Sequence, residues 1–352
     1  MNVFNLIRTN EWWEYKFPPV LAVGYMVIVN SGHTFISLSF VLVILLLSLI
    51  TGAAYVSMLN DATDITDDEV AGKKNRMARF SNFKKSCLVA IPLLSGLCFT
   101  IYYASDILTM LLYFSSYLCF TLYSLPPVRL KKRGVSGIFA DAAGSQLFPT
   151  LCVAAFLFFK TQQPVNYYLI ICIGAWSMCF GLRGILWHQF HDLEKDLLSG
   201  TKTIVQSLNK KEIHITGTVL IYIEFLTFAI LLFTFKLLLP AIMLLIYFLY
   251  LAGLYKKWKV RTILIRPTQD AYRIFMNEYY QVFLPLSILV SVVLKQPSML
   301  VILCVHILLF PANTIRICRE LLFLILNKST SFPGFRQLKK CNAFRQRNAM
   351  LF

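Results

Sequence analysis

Residues 59–78 read LNDATDITDDEVAGKKNRMA, a cluster of aspartates followed by bases, directly behind the apolar run SLSFVLVILLLSLITGAAYVSML. On a helix turning about 100° per residue, Asn60, Asp61, Asp64 and Asp68 share an arc roughly 100° wide, with Asp67 at its margin. Carboxylates about 6 Å apart repel by about 2–3 kcal/mol per pair at an effective dielectric near 20, against a few tenths for any helical side-chain pair. Repulsion therefore dominates unless a cation sits among them. A second stretch, LWHQFHDLEKDLLSGTKTI, places His188, Asp192 and Asp196 at intervals of four, a stripe at the end of another apolar run. Two acid-rich helix ends facing one cavity suit Mg2+, which prefers oxygen ligands and bridges carboxylates to phosphate oxygens. The interspersed bases Lys74, Arg76 and Lys202 would neutralise the phosphate charge that metal leaves. Acids for metal and bases for phosphate together imply a diphosphate. Taken alone, the first stretch also fits a solvated helix end whose acids face water or pair with the following lysines.

The elements that must position these stripes are membrane helices. Of 352 residues, 57% are hydrophobic and 14% charged, and the mean hydropathy is +0.65. Such a chain is an all-α polytopic membrane protein, not an ordinary soluble domain. A span needs about 20 apolar residues to cross ~30 Å of hydrocarbon, and candidates fall at 17–31, 37–59, 85–103, 106–123, 136–159, 166–187, 213–235, 237–254, 279–294 and 298–313. No cleavable signal pattern precedes the first, so the N-terminal segment is expected to stay.

The net charge of +17 raises the question of nucleic acid, and its distribution answers it. Lys73, Lys74, Arg76, Arg79, Lys84 and Lys85 lie between spans two and three, and Arg129, Lys131, Lys132 and Arg133 between four and five. Two further basic loops carry Lys195, Lys202, Lys210 and Lys211, then Lys256, Lys257, Lys259, Arg261, Arg266 and Arg273. The alternate loops hold only Lys160, Lys236 and Lys295. This is the positive-inside pattern of a multi-pass protein, not a nucleic-acid surface. It predicts both termini and the acidic loops in the cytoplasm, and the inner membrane if the source is bacterial. The nine cysteines are scattered, with no CxxC pair, and read as small buried hydrophobes.

The motifs resemble the UbiA-type intramembrane prenyltransferases. NDATDITDD fits the first acidic motif of that superfamily, DLEKD the second, and YSLPPVRLKKRG at 123–134 its YSxPPxRLK loop, in the expected order over residues 17–295. The resemblance implies a bundle of nine transmembrane helices around a central cavity, polar at its cytoplasmic cap and open sideways to lipid, here with an extra C-terminal hydrophobic helix. The implied organisation is a cytoplasmic segment 1–16, the prenyltransferase domain 17–295, a hydrophobic helical segment 296–327 and a basic cytoplasmic tail 328–352. It implies Mg2+ held by Asp61, Asp64, Asp68, Asp192 and Asp196 with Asn60, and a cap of Tyr123, Arg129 and Lys131 over the diphosphate. Arg76 matches a basic residue that follows the first motif in many members. The implied reaction moves an isoprenyl group from an allylic prenyl diphosphate to an aromatic or lipid-like acceptor, releasing diphosphate.

Some residues depart from the pattern or stay open. Where many members begin the first helix with an Arg-Pro pair, this chain has EYKFPP, with Lys16 as a substitute. His188 and Gln189 are placed to touch an acceptor or to orient Asp192, or else to bond neighbouring helices. Arg183 projects on a different stripe from Asp192 and reads as an internal partner; Glu224 and the NEYY at 277–280 have no assigned role. Phosphoribosyl transfer to a polyprenyl phosphate and terpene cyclisation are alternatives within the superfamily. A membrane transporter is the non-enzyme alternative, although its polar residues should recur near the midplane and not at one end of two helices.

Overall fold

The structure is a computed structural model and describes residues 3–326; the basic tail expected at 328–352 lies outside the described residues. A short helix α1 (Val3–Leu6) leads into α2 (Thr9–Ser31) and α3 (Ser39–Thr63), and a single turn-and-a-half, α4 (Ile65–Val70), follows. α5 (Asn82–Tyr102) and α6 (Ile107–Ser124) form a hairpin, after which α7 (Val135–Ala142) and α8 (Phe148–Lys160) are joined by a π-helical turn, Ala143–Leu147. α9 (Tyr167–His191) is followed by the short α10 (Leu193–Leu198), then α11 (Lys210–Thr234) and α12 (Leu238–Trp258). A second π-helical turn, Tyr279–Phe283, opens α13 (Leu284–Lys295), and α14 (Leu300–Leu309) and α15 (Pro311–Ile325) complete the described chain. Between α12 and α13, β1 (Arg261–Ile263) and β2 (Tyr272–Ile274) pair in parallel. Neither is legible in a polar loop where no period-two apolar alternation repeats.

Among the described residues seven helices are long and apolar enough to cross a membrane, and the α14–α15 pair would make an eighth if counted as one span. Their burial separates centre from rim: 72% of the most apolar stretch of α9 is buried, against 17% for the span containing α5. On the rim, Phe83, Ile101, Phe233 and Leu238 point outward, which suits lipid as the solvent. At the centre, α2 is buried from Val20 to Ile28. Small residues let the inner helices approach closely, as membrane packing favours. A Cβ on Gly24 would come to 3.0 Å from both Leu157 Cδ1 and Val153 Cγ1, and one on Gly181 to 3.0 Å from the Ala142 carbonyl oxygen. The α9–α11 contact carries the buried pair Arg183–Glu224, with Nε to Oε2 2.7 Å and Nη2 to Oε1 2.8 Å.

The expected span 298–313 is corrected. The helix breaks at Phe310 and turns through 94°, because Pro311 has no N–H with which to continue the α14 ladder. Alone, α14 is about 15 Å long, half the hydrocarbon thickness. The Glu14 carboxylate accepts the freed Ala312 and Asn313 amides at 2.7 and 2.9 Å, a capping contact that also suits the helix dipole. Further along, Glu320 pairs with Arg273 Nη2 at 2.7 Å and accepts from the Tyr250 hydroxyl. α15 therefore straps the same end of the bundle that carries the acidic stretches, from α2 to α12.

Candidate active site

The acidic stretches do not continue their helices, as a single arc of side chains would require. α3 stops at Thr63, and Asp64, at φ −106° and ψ 8°, joins it to α4. Asp192, at φ −98° and ψ 7°, joins α9 to α10 in the same way. Each break is followed by a six-residue helix and then a glycine in the left-handed region, Gly72 at φ 65° and Gly200 at φ 66°. The amides repeat too: Asp68 N to Asp64 O is 2.8 Å and Lys73 N to Asp68 O 2.7 Å, against 2.9 Å for both Asp196 N to Asp192 O and Thr201 N to Asp196 O. The pattern DxxxDxxxG occurs at 64–72 and at 192–200. The glycines are required where the chain takes positive φ, and reading them with the acids would have shown this internal repeat.

Both segments line one polar cavity of about 260 Å³, together with Arg8, Asn60, Lys73, Lys74, Arg76, Tyr123, Lys131, His188, Gln189 and Thr201. Of the residues singled out from sequence, Asn60, Asp61, Asp64, Asp68, Asp192, Asp196, Tyr123, Lys131, Lys74, Arg76, His188 and Gln189 meet here. Arg129 reaches Asp64 and Asp67 behind the wall, with Nη2 at 2.9 and 3.0 Å, and also donates to the Thr63 carbonyl at 2.9 Å. Lys202 is exposed and does not line the cavity; Thr201 and Thr203 stand there instead.

Nearly every acid meets a base. Asp61 lies 3.4 Å from Arg8 Nη1 and 3.5 Å from Arg76 Nη1. Asp64 is bonded by Lys131 as well as Arg129, and Asp67 lies 2.8 Å from Lys132. Asp68 accepts from Asn75 Nδ2 at 2.8 Å, and Asp192 faces Lys73 and Lys195 at 3.1 and 3.2 Å. The charge that relieves carboxylate repulsion is thus supplied by the chain's own bases. Arg129 holds its place at φ 41°, a left-handed conformation that bulky residues adopt at some cost. Burial would raise the Asp192 carboxyl, but Lys73 and Lys195 outweigh it and hold it below the usual range. Asp196, without an ion-pair partner among the described residues, is pushed up to about 6, chiefly by burial. Burial likewise pulls the Lys131 ammonium below the usual lysine range, against the opposing charge of Asp64.

Among the described residues no three His, Cys, Asp or Glu side chains form a ready-made ligand cluster. The donor set nevertheless fits a hard divalent ion. Carboxylates from two segments face one polar space, and the buried Asp61 Oδ2 has no hydrogen-bond donor.

Directly against this polar space lies a second cavity of about 270 Å³, mostly apolar, lined by Trp12, Phe17, Leu49, Val56, Tyr113, Tyr117 and Phe120. Asn60, Arg8, Ile185 and His188 line both. The aromatic wall on α6 is seated in glycines: a Cβ on Gly96 would fall 2.4 Å from the Tyr117 ring, and one on Gly144 2.8 Å from Phe120. Sequence reasoning passed over Arg8, Lys73 and Asp141, which sit among bulk charge or inside an apolar run. A model of the UbiA prenyltransferase family matches residues 17–279.

The chain belongs to that family. Its fold is similar to a solved UbiA homolog from Archaeoglobus fulgidus bound to GPP and Mg2+, at 13% identity and a TM-score of 0.54, covering 88% of this chain and 99% of the other. It is also similar to a UbiA homolog from the same organism bound to DMAPP and Mg2+, at 13% identity and a TM-score of 0.52, over 83% and 99% of the two chains. No curated protein matches the chain by sequence. The UbiA match ends at Tyr279, so α13 to α15 lie beyond the matched residues.

Proposed function

We propose that this UbiA family member transfers an isoprenyl group, in a Mg2+-dependent reaction, from an allylic prenyl diphosphate to an aromatic or lipid-like acceptor. The observation that carries the reading is the junction of a polar, charged cavity with an aromatic one at Asn60 and His188. The solved relatives that hold GPP or DMAPP with Mg2+ support the same reading. A diphosphate head belongs in the first cavity and a prenyl tail in the second. Asp61, Asp64, Asp68, Asp192 and Asp196, with Asn60, would hold Mg2+, which supplies electrostatic stabilisation of the departing diphosphate. Lys131, Arg76 and Lys73 turn from the carboxylates to the phosphate oxygens, joined by Lys74 from the same cavity wall, where fixed cations stabilise developing charge. Arg129 presents a planar fork that can bind phosphate with two parallel bonds. The tyrosine and phenylalanine faces of α6 stabilise an allylic cation through their quadrupoles and keep water from it. The basic loops at this end of the bundle face the cytoplasm by their charge.

Purified protein in nanodiscs should release diphosphate from geranyl diphosphate only with Mg2+ or Mn2+ present, and product masses with candidate acceptors identify the transfer. Asp64→Ala and Asp192→Ala should each abolish release without loss of fold. Undiminished turnover in excess chelator overturns the proposal.

A further inference from the structure

Asp141 and Glu11 are the acids that line the apolar cavity and not the polar one. Asp196, in the polar cavity, has no ion-pair partner among the described residues, but Asp141 combines both features. Glu11, Asp61, Asp64, Asp67, Asp68 and Asp192 each have a cationic or amide partner. Asp141 has no ion pair or hydrogen bond among the described residues, although a carboxylate at membrane depth is expensive to keep unpaired.

Its placement is specific. A Cβ on Gly137 would lie 2.7 Å from the Leu130 carbonyl oxygen, so α7 runs directly under the loop that carries Arg129 and Lys131. Asp141 follows four residues later on the same helical face, about 6 Å deeper. A π-helical turn begins two residues beyond it, and Gly144 and Ser145 of that turn line the same cavity. Such turns mark places where a helix is re-aimed, often at functional sites. The other titratable or charged groups facing this cavity are Arg8 just before α2, Glu11 and Lys16 from α2, Tyr113 and Tyr117 from α6, Cys152 from α8 and His188 from α9. The carboxylate therefore lies where the reacting end of a prenyl chain would emerge from beneath the loop.

We propose that Asp141 accepts the proton that the acceptor sheds during transfer, and that the acceptor is a protic nucleophile, a hydroxyl or a hydrogen-bearing ring carbon of a phenol. This rests on the prenyl-transfer reading above. In the step, the bond from the prenyl carbon to the diphosphate oxygen breaks with both electrons leaving on diphosphate. An electron pair of the acceptor forms the new bond to that carbon. The acceptor's O–H or C–H bond then gives its proton to a carboxylate oxygen of Asp141 and keeps the electron pair. Water takes the proton when product leaves, restoring the carboxylate.

The test uses the full chain in nanodiscs with geranyl diphosphate, Mg2+ and two probe acceptors, a para-substituted phenol and a long-chain primary alcohol. A positioned general base contributes about 10²–10⁴ in rate, so Asp141→Asn should lower transfer at least about 100-fold. Diphosphate release should continue, with geranyl alcohol from water capture replacing prenylated acceptor, and the KM for geranyl diphosphate should stay within about twofold. Asp141→Glu should retain part of the transfer, and formate should partly restore Asp141→Ala, which a packing role would not allow. Transfer by Asp141→Asn at the wild-type rate overturns the proposal, as does wild-type diphosphate release with neither probe prenylated. A wild type that releases no diphosphate with Mg2+ instead defeats the underlying reading of the site.

Discussion

Lys73 Nζ lies 3.1 Å from Asp192 Oδ2 and so ties the segment after α3 to the one after α9 across the polar cavity. It follows Gly72, whose left-handed turn reverses the chain toward the second segment. Because Lys73 occupies a carboxylate that Mg2+ would use, it holds the cavity together and competes with the ion. Lys73→Met should raise the KM for prenyl diphosphate about tenfold, equivalent to about 1.4 kcal/mol, without raising the Mg2+ concentration for half-maximal rate. Steady-state kinetics varying each separately decides; an unchanged KM removes Lys73 from the site.

Asp196 sets a pH dependence. Its carboxyl titrates at about 6 because burial raises it, with Lys73 opposing and Asp192 adding to the rise. Cation binding needs the ionised form and releases the proton. The Mg2+ requirement should therefore fall about tenfold per pH unit as pH rises to about 6 and level off above it, with Asp196→Asn abolishing the limb. The stability term has the opposite sense. The folded chain keeps a proton that the unfolded chain has already lost, so this group's contribution declines as pH rises from about 4 to about 6. Isothermal titration with Mg2+ across that range reads the first effect and thermal unfolding the second.

The motifs and the apolar spans were legible because each is a local pattern. Asp61 and Asp192 follow long hydrophobic runs, and the YSLPPVRLKKRG loop lies between two others. What escaped depends on contacts across the fold. The break at Asp64 has no proline to announce it, and the amide bonds that stabilise it come from a compact α4. Arg8 reaches Asp61 across 53 residues of sequence, a distance over which no period operates. Asp141 sits within the span expected at 136–159, where one acid among apolar residues gives no periodic signal. Pro311 did signal a break, but the apolar residues on both sides masked it.

The pair Arg183–Glu224 is buried, with side chains 1% and 0% exposed, and Arg183 Nη1 also donates to the Leu264 carbonyl at 3.3 Å. It joins α9 and α11 to the loop after α12, remote from the acidic cap. Glu224→Ala strands a buried guanidinium and should cost about 3–5 kcal/mol, whereas an apolar double replacement, Arg183→Met with Glu224→Leu, should recover most of it. Thermal unfolding in one detergent compares the three. If the double variant were no more stable than Glu224→Ala, the pair would have a role beyond mutual neutralisation.

Gly96 governs the width of the apolar cavity through Tyr117. The ring stacks on Tyr55 with centroids 5.0 Å apart, and its hydroxyl lies 3.2 Å from that of Tyr113. An alanine methyl at position 96 would approach Cζ and Oη of Tyr117 to 2.4 Å, closer than any packed pair, so the ring must swing away from α5. Tyr55 blocks one direction, which leaves the cavity as the space into which the ring moves. Gly96→Ala should therefore reduce turnover of longer prenyl diphosphates more than of dimethylallyl diphosphate, which needs only the mouth of the cavity. Adding Tyr117→Ala removes the displaced ring and should restore the longer substrates. Comparing kcat/KM for five-, ten- and fifteen-carbon diphosphates across the three proteins measures this. A uniform loss at every length, unrelieved by the second substitution, would show that Tyr117 supports the bundle and does not bound the prenyl chain.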